Sequence, residues 1–392
     1  MNPWLEAVTE HWERAPVRAR AGGPRPSPER VFRLLVTASA PFRAGTRFFV
    51  LPNVRFFVDE ARDAAPAELL PGAGDAAFDG YLTRVAQRLA PRPFRLFVEQ
   101  PLMLDFPLWD DVRSMMAAFF ERVGWPLMPV VTDVSLGHGA STRAGQRDLH
   151  SVLTFVLAGR TRMQLSDSHG GTTMEYEAEA GDVFYWPSTM SLTHETLDHC
   201  LSMRLSIPTH ASHTARAVKT LVADLLQELR GEEHPVPYIP VAPAPRADGS
   251  LGPLEPLAHT ARALEKLVSG PALARALRLR WAKRVSAACL EPVPPLGERR
   301  TLSRGDIVRP AARGSIVRMK HAPSEWIWAI LGRAFSVSDH PVATRLFDAL
   351  LVDASWRVGD MCSTKASLAL LQKVCDLRGV HVVRSATPRG LP

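Results

Sequence analysis

The residues best placed to do chemistry lie in two stretches near the middle of the chain. In AGQRDLHSVLTFVLAGRTRMQLS, Gln146, Asp148 and His150 alternate ahead of a β-branched run. Side chains at i and i+2 of a strand point the same way, so an amide, a carboxylate and an imidazole share one face. Thr161 follows the Gly159-Arg160 turn on the next run and should reach the same interior. In GDVFYWPSTMSLTHETLDHCLSMRLSIP, His194 follows an aromatic run and Arg204 stands on the run that returns. Such a set can ligate a metal or hold a polar ligand. The plainer alternative makes His150 and His194 hydrogen-bonded structural histidines, and Tyr185 and Trp186 packing aromatics of a β-core. His138, His199 and His210 read as surface or loop residues.

These residues must be positioned by short strands. From Met128 to Pro208 the runs VVTDVSL, VLTFVLAG, TRMQLS, TTMEYEAE, DVFYWP and CLSMRLSIP are separated by Gly, Ser and Pro turns, which argues for a sandwich or barrel. Residues 1–45 read as helical and irregular, and TRFFVLPNVRFFVDE and PFRLFVEQ as further β-runs. The period then changes. Val218, Leu221, Val222, Leu225, Leu226 and Leu229 form one helical stripe, with Gly231 placed to end the helix. A proline-dense stretch, EEHPVPYIPVAPAPRADGSLGPLEP, reads as an extended arm, and two more helical segments run to about Ala288. From Leu302 the pattern is a hairpin (GSIVRMKHA with WIWAILGRAFSV), a helix, a short strand, a helix and a closing strand. That order is winged-helix-like, the alternative being a generic α+β cap. Trp326, Trp328 and Trp356 read as core or dimer-contact residues.

A chain of 392 residues is too long for one compact core and predicts two or three domains. Hydrophobic residues make up 46% and charged residues 22%, and no apolar run approaches the roughly 20 residues that span a bilayer. The N-terminal MNPWLEAVTEHWERAPVRAR mixes acids and bases from its first turn, so export is not expected and the cytoplasm is. Cys200, Cys289, Cys362 and Cys375 form no CxxC pair and read as reduced thiols. A formal charge of +7 favours acidic partners, although the excess is scattered rather than blocked. The last helical segment offers only Lys365, Lys373 and Arg378, thin provision for reading a major groove, so a nucleic-acid partner is not expected. No GxGxxG, P-loop, HExxH or GxSxG occurs in an interpretable context.

Taken in order, the two central stretches resemble the JmjC-type cupins of the bacterial ribosomal-oxygenase kind. In those proteins a His-x-Asp pair opens a strand that ends in a Gly-Arg turn. Further on, a Gly-Asp turn leads into an aromatic strand, a proline, a short loop bearing a metal histidine, and a Ser-rich return strand. The resemblance covers nearly the whole chain. It implies an α+β architecture: a JmjC/cupin double-stranded β-helix barrel in residues 1–210, a helical, dimerising middle with a Pro-rich arm in 211–298, and a winged-helix domain in 299–392. Members of this family hold iron with two histidines and one carboxylate, leaving three positions for 2-oxoglutarate and oxygen.

Anchored at Gly159-Arg160, the family's first pair falls on Gln146 and Asp148, so the carboxylate is kept and the first histidine is glutamine. Family spacing from Gly181 puts the distal ligand at Leu192, and the basic residue for the 2-oxoglutarate carboxylate falls at Thr161. Three of four positions are thus changed, which implies neither catalytic residues nor a cofactor. The expectation is a peptide-binding protein whose groove presents Gln146, Asp148, His150, Thr161 and Arg204 to a peptide or protein ligand, an acidic one given the net charge. A partner modifying enzyme and a homodimer complete it. In this the chain resembles the catalytically silent peptide-binding proteins of ribosomal-peptide natural product pathways, such as those of crocagin biosynthesis. The alternative is an active Fe(II)/2-oxoglutarate hydroxylase of a peptide or ribosomal protein, using a reversed triad of Asp148, His150 and His194 with Arg204 as the cation. A third reading is a DNA-binding regulator with a cupin sensor domain.

Overall fold

The computed structural model describes residues 3–22, 26–45, 51–75, 77–90, 92–139, 141–143, 149–167, 173–230, 246–251, 255–312 and 314–384. Twelve strands make up its first half: β1 (Val17–Arg20), β2 (Asn53–Val58), β3 (Ala61–Asp63), β4 (Phe94–Glu99), β5 (Val131–His138), β6 (Ser141–Arg143), β7 (His150–Ala158), β8 (Arg160–Asp167), β9 (Thr173–Glu179), β10 (Asp182–Trp186), β11 (Met190–Thr196) and β12 (Cys200–Pro208). They form an eight-stranded sheet in the order β1-β10-β7-β12-β5-β4-β2-β3 and a four-stranded sheet in the order β6-β11-β8-β9.

Strand β7 shows why the two sheets pack face to face. Its sequence HSVLTFVLA is apolar on both sides, and residues 151–157 are all buried. Leu153, Phe155 and Leu157 enter the main core, where Phe155 meets the ring of Trp4 edge-on at 5.6 Å. Val152 and Val156 point the other way, into a second core with Met163, Leu165, Ala178 and Leu192 of the four-stranded sheet. A strand buried on both faces needs a layer on each side, and the pattern shows as a continuous apolar run. The turn from β7 into β8 depends on Gly159, with φ of +73° and His199's carbonyl oxygen 2.0 Å from where a Cβ would stand.

The main core is closed by helices α1 (Pro3–His11), α2 (Pro28–Arg43), α3 (Phe78–Leu89) and α4 (Phe106–Val123). Asp105 caps α4 by accepting from Leu108 N at 3.0 Å, and the same carboxylate pairs with Arg30 at 2.8 Å, tying α2 to α4. Helices α5 (Ser212–Arg230), α6 (Glu255–Ser269) and α7 (Pro271–Ser286) follow. Strands β13 (Ile307–Pro310), β17 (Trp356–Arg357) and β18 (Val380–Arg384) form one three-stranded sheet, and β14 (Ile316–Ala322), β15 (Glu325–Ile330) and β16 (Arg333–Ser338) another. Helices α8 (Pro341–Leu350), α9 (Val358–Met361) and α10 (Lys365–Asp376) complete this unit. Trp328 is core, set edge-on to Phe347 at 5.0 Å, while Ala282 of α7 packs on Ile327 and Ala329 of β15.

Three local expectations are corrected. The N-terminal segment contains a strand, β1, which adds to the edge of the large sheet through β10 and alternates half-buried and exposed as an edge strand does. WIWAILGRAFSV is two strands, because Leu331 and Gly332 both take positive φ and reverse the chain. MSLTHET is no loop: it is β11, held between β6 and β8, and it carries His194. Among the described residues, no helix is long and apolar enough to cross a membrane.

Candidate functional site

Strand register across the large sheet assembles a polar row out of residues far apart in sequence. Glu99 of β4 stands opposite Asp133 of β5, Asp133 opposite Arg204 of β12, and Arg204 opposite Thr154 of β7. The next row runs Arg55, Phe97, Ser135, Ser202, and Phe57 stands opposite Arg95. Because side chains alternate across a strand, these rows face one way, toward the small sheet. A cavity of about 280 Å³ lies between the sheets there. Its large-sheet wall is Arg55, Phe57, Arg95, Phe97, Asp133, Ser135, Thr154, Trp186, Ser202 and Arg204, and its small-sheet wall is Met163, Leu192 and His194.

The arginines are held in place by aromatic faces and acids. The guanidinium carbons of Arg55 and Arg95 sit 4.7 Å and 4.8 Å from the ring centres of Phe97 and Phe57. Arg55 pairs with Glu99 at 3.1 Å, and Arg204 with Asp133 at 3.0 Å. Burial, then the nearby Arg204, pulls the Arg95 guanidinium below its ordinary value. Burial pushes the Asp133 carboxyl up, against the opposing pull of Arg204. Burial first, then Arg204 and Arg95, brings the His194 imidazole down to about 4, so it is neutral at pH 7. Thr154 Oγ1, His194 Nε2 and Arg55 Nε are buried with no hydrogen-bond partner among the described residues. A buried polar atom without a partner costs about 1–3 kcal/mol, and three in one cavity mark it as built for a polar guest.

Of the residues singled out in the sequence, Arg204 and His194 line this cavity, as does Leu192. Thr161 does not. It is fully buried on β8, and its hydroxyl donates to the Glu195 carbonyl at 2.8 Å. His150 stands at the start of β7, beyond the cavity, with its ring 5.0 Å from that of His213 on α5. Gln146 and Asp148 lie outside the described residues. Trp186 packs in the second core and lines the cavity as well. Sequence reasoning missed Arg55, Arg95, Asp133 and Thr154. The available signal was the arginine at alternate positions of otherwise apolar strands, in NVRFFV and FRLFVE.

No protein-family model matches the chain, and no curated protein matches it. Among solved structures it is similar over 97% of its length to the ribosomal oxygenase YcfD of Escherichia coli. One structure of that protein gives a TM-score of 0.52 at 13% identity, with 98% of that chain covered. A second gives 0.53 at 15% over the same shares. A third, in complex with cobalt and 2-oxoglutarate, gives 0.50 at 14%, again over 97% and 98%. The iron site of the sequence-based alternative needs two histidines and a carboxylate on one face. The described lining offers one imidazole, His194, and one carboxylate, Asp133, already engaged by Arg204. No group of three or more His, Cys, Asp or Glu suited to a metal occurs among the described residues, so these donors by themselves do not fit the metal. At 13–15% identity the likeness is one of fold, and over 97% of its length the chain shares the fold of the ribosomal oxygenase YcfD.

Proposed function

We propose that this chain is a non-catalytic peptide-binding protein of JmjC-like fold, whose cavity takes up one residue of a polypeptide and presents the segment to a modifying enzyme. The observation that carries the reading is the lining itself. Leu192, which cannot donate to a metal, stands beside His194, opposite three arginines and two phenylalanines. That wall suits recognition by charge, hydrogen bonding and stacking rather than ligation. Residues 1–210 form the binding unit, a cupin barrel. Residues 211–298 mediate dimerisation, and 299–392 serve as a structural winged-helix domain. A ribosomal-peptide natural product pathway of the crocagin type is the setting that suits such a clamp.

The competing reading, an Fe(II)/2-oxoglutarate peptide hydroxylase, is favoured by the likeness to an oxygenase and by His194 in the cavity. One experiment separates the two. The full-length protein is reconstituted with Fe(II), and metal content and 2-oxoglutarate decarboxylation are measured beside calorimetric titration of the precursor peptides encoded next to the gene. The peptide-binding reading expects peptide affinity without stoichiometric iron or turnover. Stoichiometric iron that is lost in both His150→Ala and His194→Ala would overturn it in favour of the reversed triad.

A further inference from the structure

Resting on the peptide-binding reading, we infer that the arginine-lined end of this cavity is a carboxylate receptor: Arg55, Arg95, Arg204, Thr154 and His194 together take up the side chain of an acidic residue of the bound polypeptide. Among the described residues the lining holds three guanidiniums, of which Arg55 pairs with Glu99 and Arg204 with Asp133. A guanidinium fork pairs two parallel N–H donors with the two oxygens of a carboxylate, the monoanion taken here as the guest. Stacking on Phe57 and Phe97 fixes the planes of Arg95 and Arg55 before any guest arrives. Planar forks held in advance recognise a planar carboxylate at little entropic cost.

Two uncharged groups fit the same guest. The Thr154 hydroxyl, on a residue only 5% exposed, lacks a partner among the described residues and can donate to a carboxylate oxygen. His194 is neutral at pH 7, and as the Nε2–H tautomer its buried nitrogen is a second donor. Burial first, and then Arg204, lower the Arg95 guanidinium, and a carboxylate guest beside it opposes both. At about 280 Å³ the cavity admits a residue and not a folded segment. The receptor stands on β2, β4, β7, β11 and β12. Strand β8 contributes Met163 to the wall and no charge, the Thr161 hydroxyl being committed to the Glu195 carbonyl.

The test uses the full-length protein and capped pentapeptides Gly-Gly-X-Gly-Gly, with X as Glu, Gln or Lys, titrated calorimetrically at low salt beside glutarate and inorganic phosphate. The Glu peptide should bind at least tenfold more tightly than the Gln peptide and weaken as salt rises. That preference should vanish in Arg95→Gln, survive largely in Arg95→Lys, and fall several-fold in Thr154→Val, a near-isosteric change that leaves every charge in place. Circular dichroism and a thermal midpoint for each variant separate lost binding from lost folding. Equal affinity for the Glu and Gln peptides overturns the carboxylate receptor and leaves peptide binding standing. Glutarate binding without any peptide binding overturns both, assigning the cavity to a free diacid. Phosphate as the tightest guest overturns the choice of a monoanion.

Discussion

Arg204 donates through Nε to both oxygens of Asp133, at 3.2 and 3.0 Å, across the register of β5 and β12. The two ends differ in exposure: the Asp133 side chain is 4% exposed and that of Arg204 32%. The arginine therefore compensates a carboxylate with almost no access to water while keeping part of its own side chain on the cavity.

Removing that compensation should be costly. Arg204→Ala is expected to lower stability by about 2–4 kcal/mol, because breaking a buried pair strands a charge, with some discount for the exposed end. The double variant Arg204→Met with Asp133→Asn should recover most of the loss. Urea denaturation of the wild type and these two variants checks this, and a double variant no better than Arg204→Ala would show that the pair is not the source of the cost.

The pH dependence has a definite sign. The His194 imidazole, held down to about 4 by burial and then by Arg204 and Arg95, titrates near 6.5 when unfolded. Between those values the unfolded chain takes up a proton that the folded one does not. His194 therefore withdraws stability as pH falls from about 6.5 to about 4, and nothing further below that. His194 taken as a whole residue is only part-buried, which puts the loss at about 1–3 kcal/mol. In His194→Gln the fall should be flatter by that amount, read from urea midpoints at pH 7, 5.5 and 4.5. Parallel slopes in the two proteins would count against a buried imidazole.

Gly159→Ala should be among the most damaging single substitutions in the β-unit. A Cβ there meets the His199 carbonyl at 2.0 Å on a backbone of positive φ, and backbone on both sides leaves little to give way. A loss of about 3 kcal/mol or more is expected in thermal or chemical denaturation. Gly45→Ala is the control, since it shares a positive φ and meets nothing within 4 Å. It should cost only about 1 kcal/mol, the backbone part alone.

The homodimer proposed above has a specific surface to use. Leu221 is buried within the chain, whereas Val218 of α5, Leu264 and Val268 of α6 and Leu277 of α7 are between 38% and 55% exposed. Light scattering at micromolar concentration should return twice the chain mass, and Val218→Glu combined with Val268→Glu should return one chain mass. A monomeric wild type would leave these residues as ordinary surface.

Much of the architecture was legible because it rests on local rules. Short β-branched and aromatic runs between Gly, Ser and Pro turns marked β7, β10 and β12 as strands, the Gly159-Arg160 turn marked the hairpin, and the period of Val218, Leu221 and Leu225 marked α5. The ordered pair of central motifs pointed to the architecture that the structural likeness bears out, and it drew attention to Leu192, His194 and Arg204, which line the cavity.

What the cavity is made of was decided by tertiary structure. Arg55, Arg95, Asp133 and Arg204 come from four strands spread over about 150 residues, and only pairing register brings them into adjacent rows, which no local spacing encodes. Alternation assigns Thr161 an inward face, yet a carbonyl on β11 accepts from its hydroxyl, and it is fully buried away from the cavity. His150 obeys the same alternation but stands four residues before Thr154, the β7 residue that lines the cavity, against His213 of a helix that begins some sixty residues later. Sequence by itself determines which face a side chain takes, because the strand period is two. Only the packed sheets decide what that face meets, because the depth of a cavity and the partners of a hydroxyl depend on the chain's distant parts.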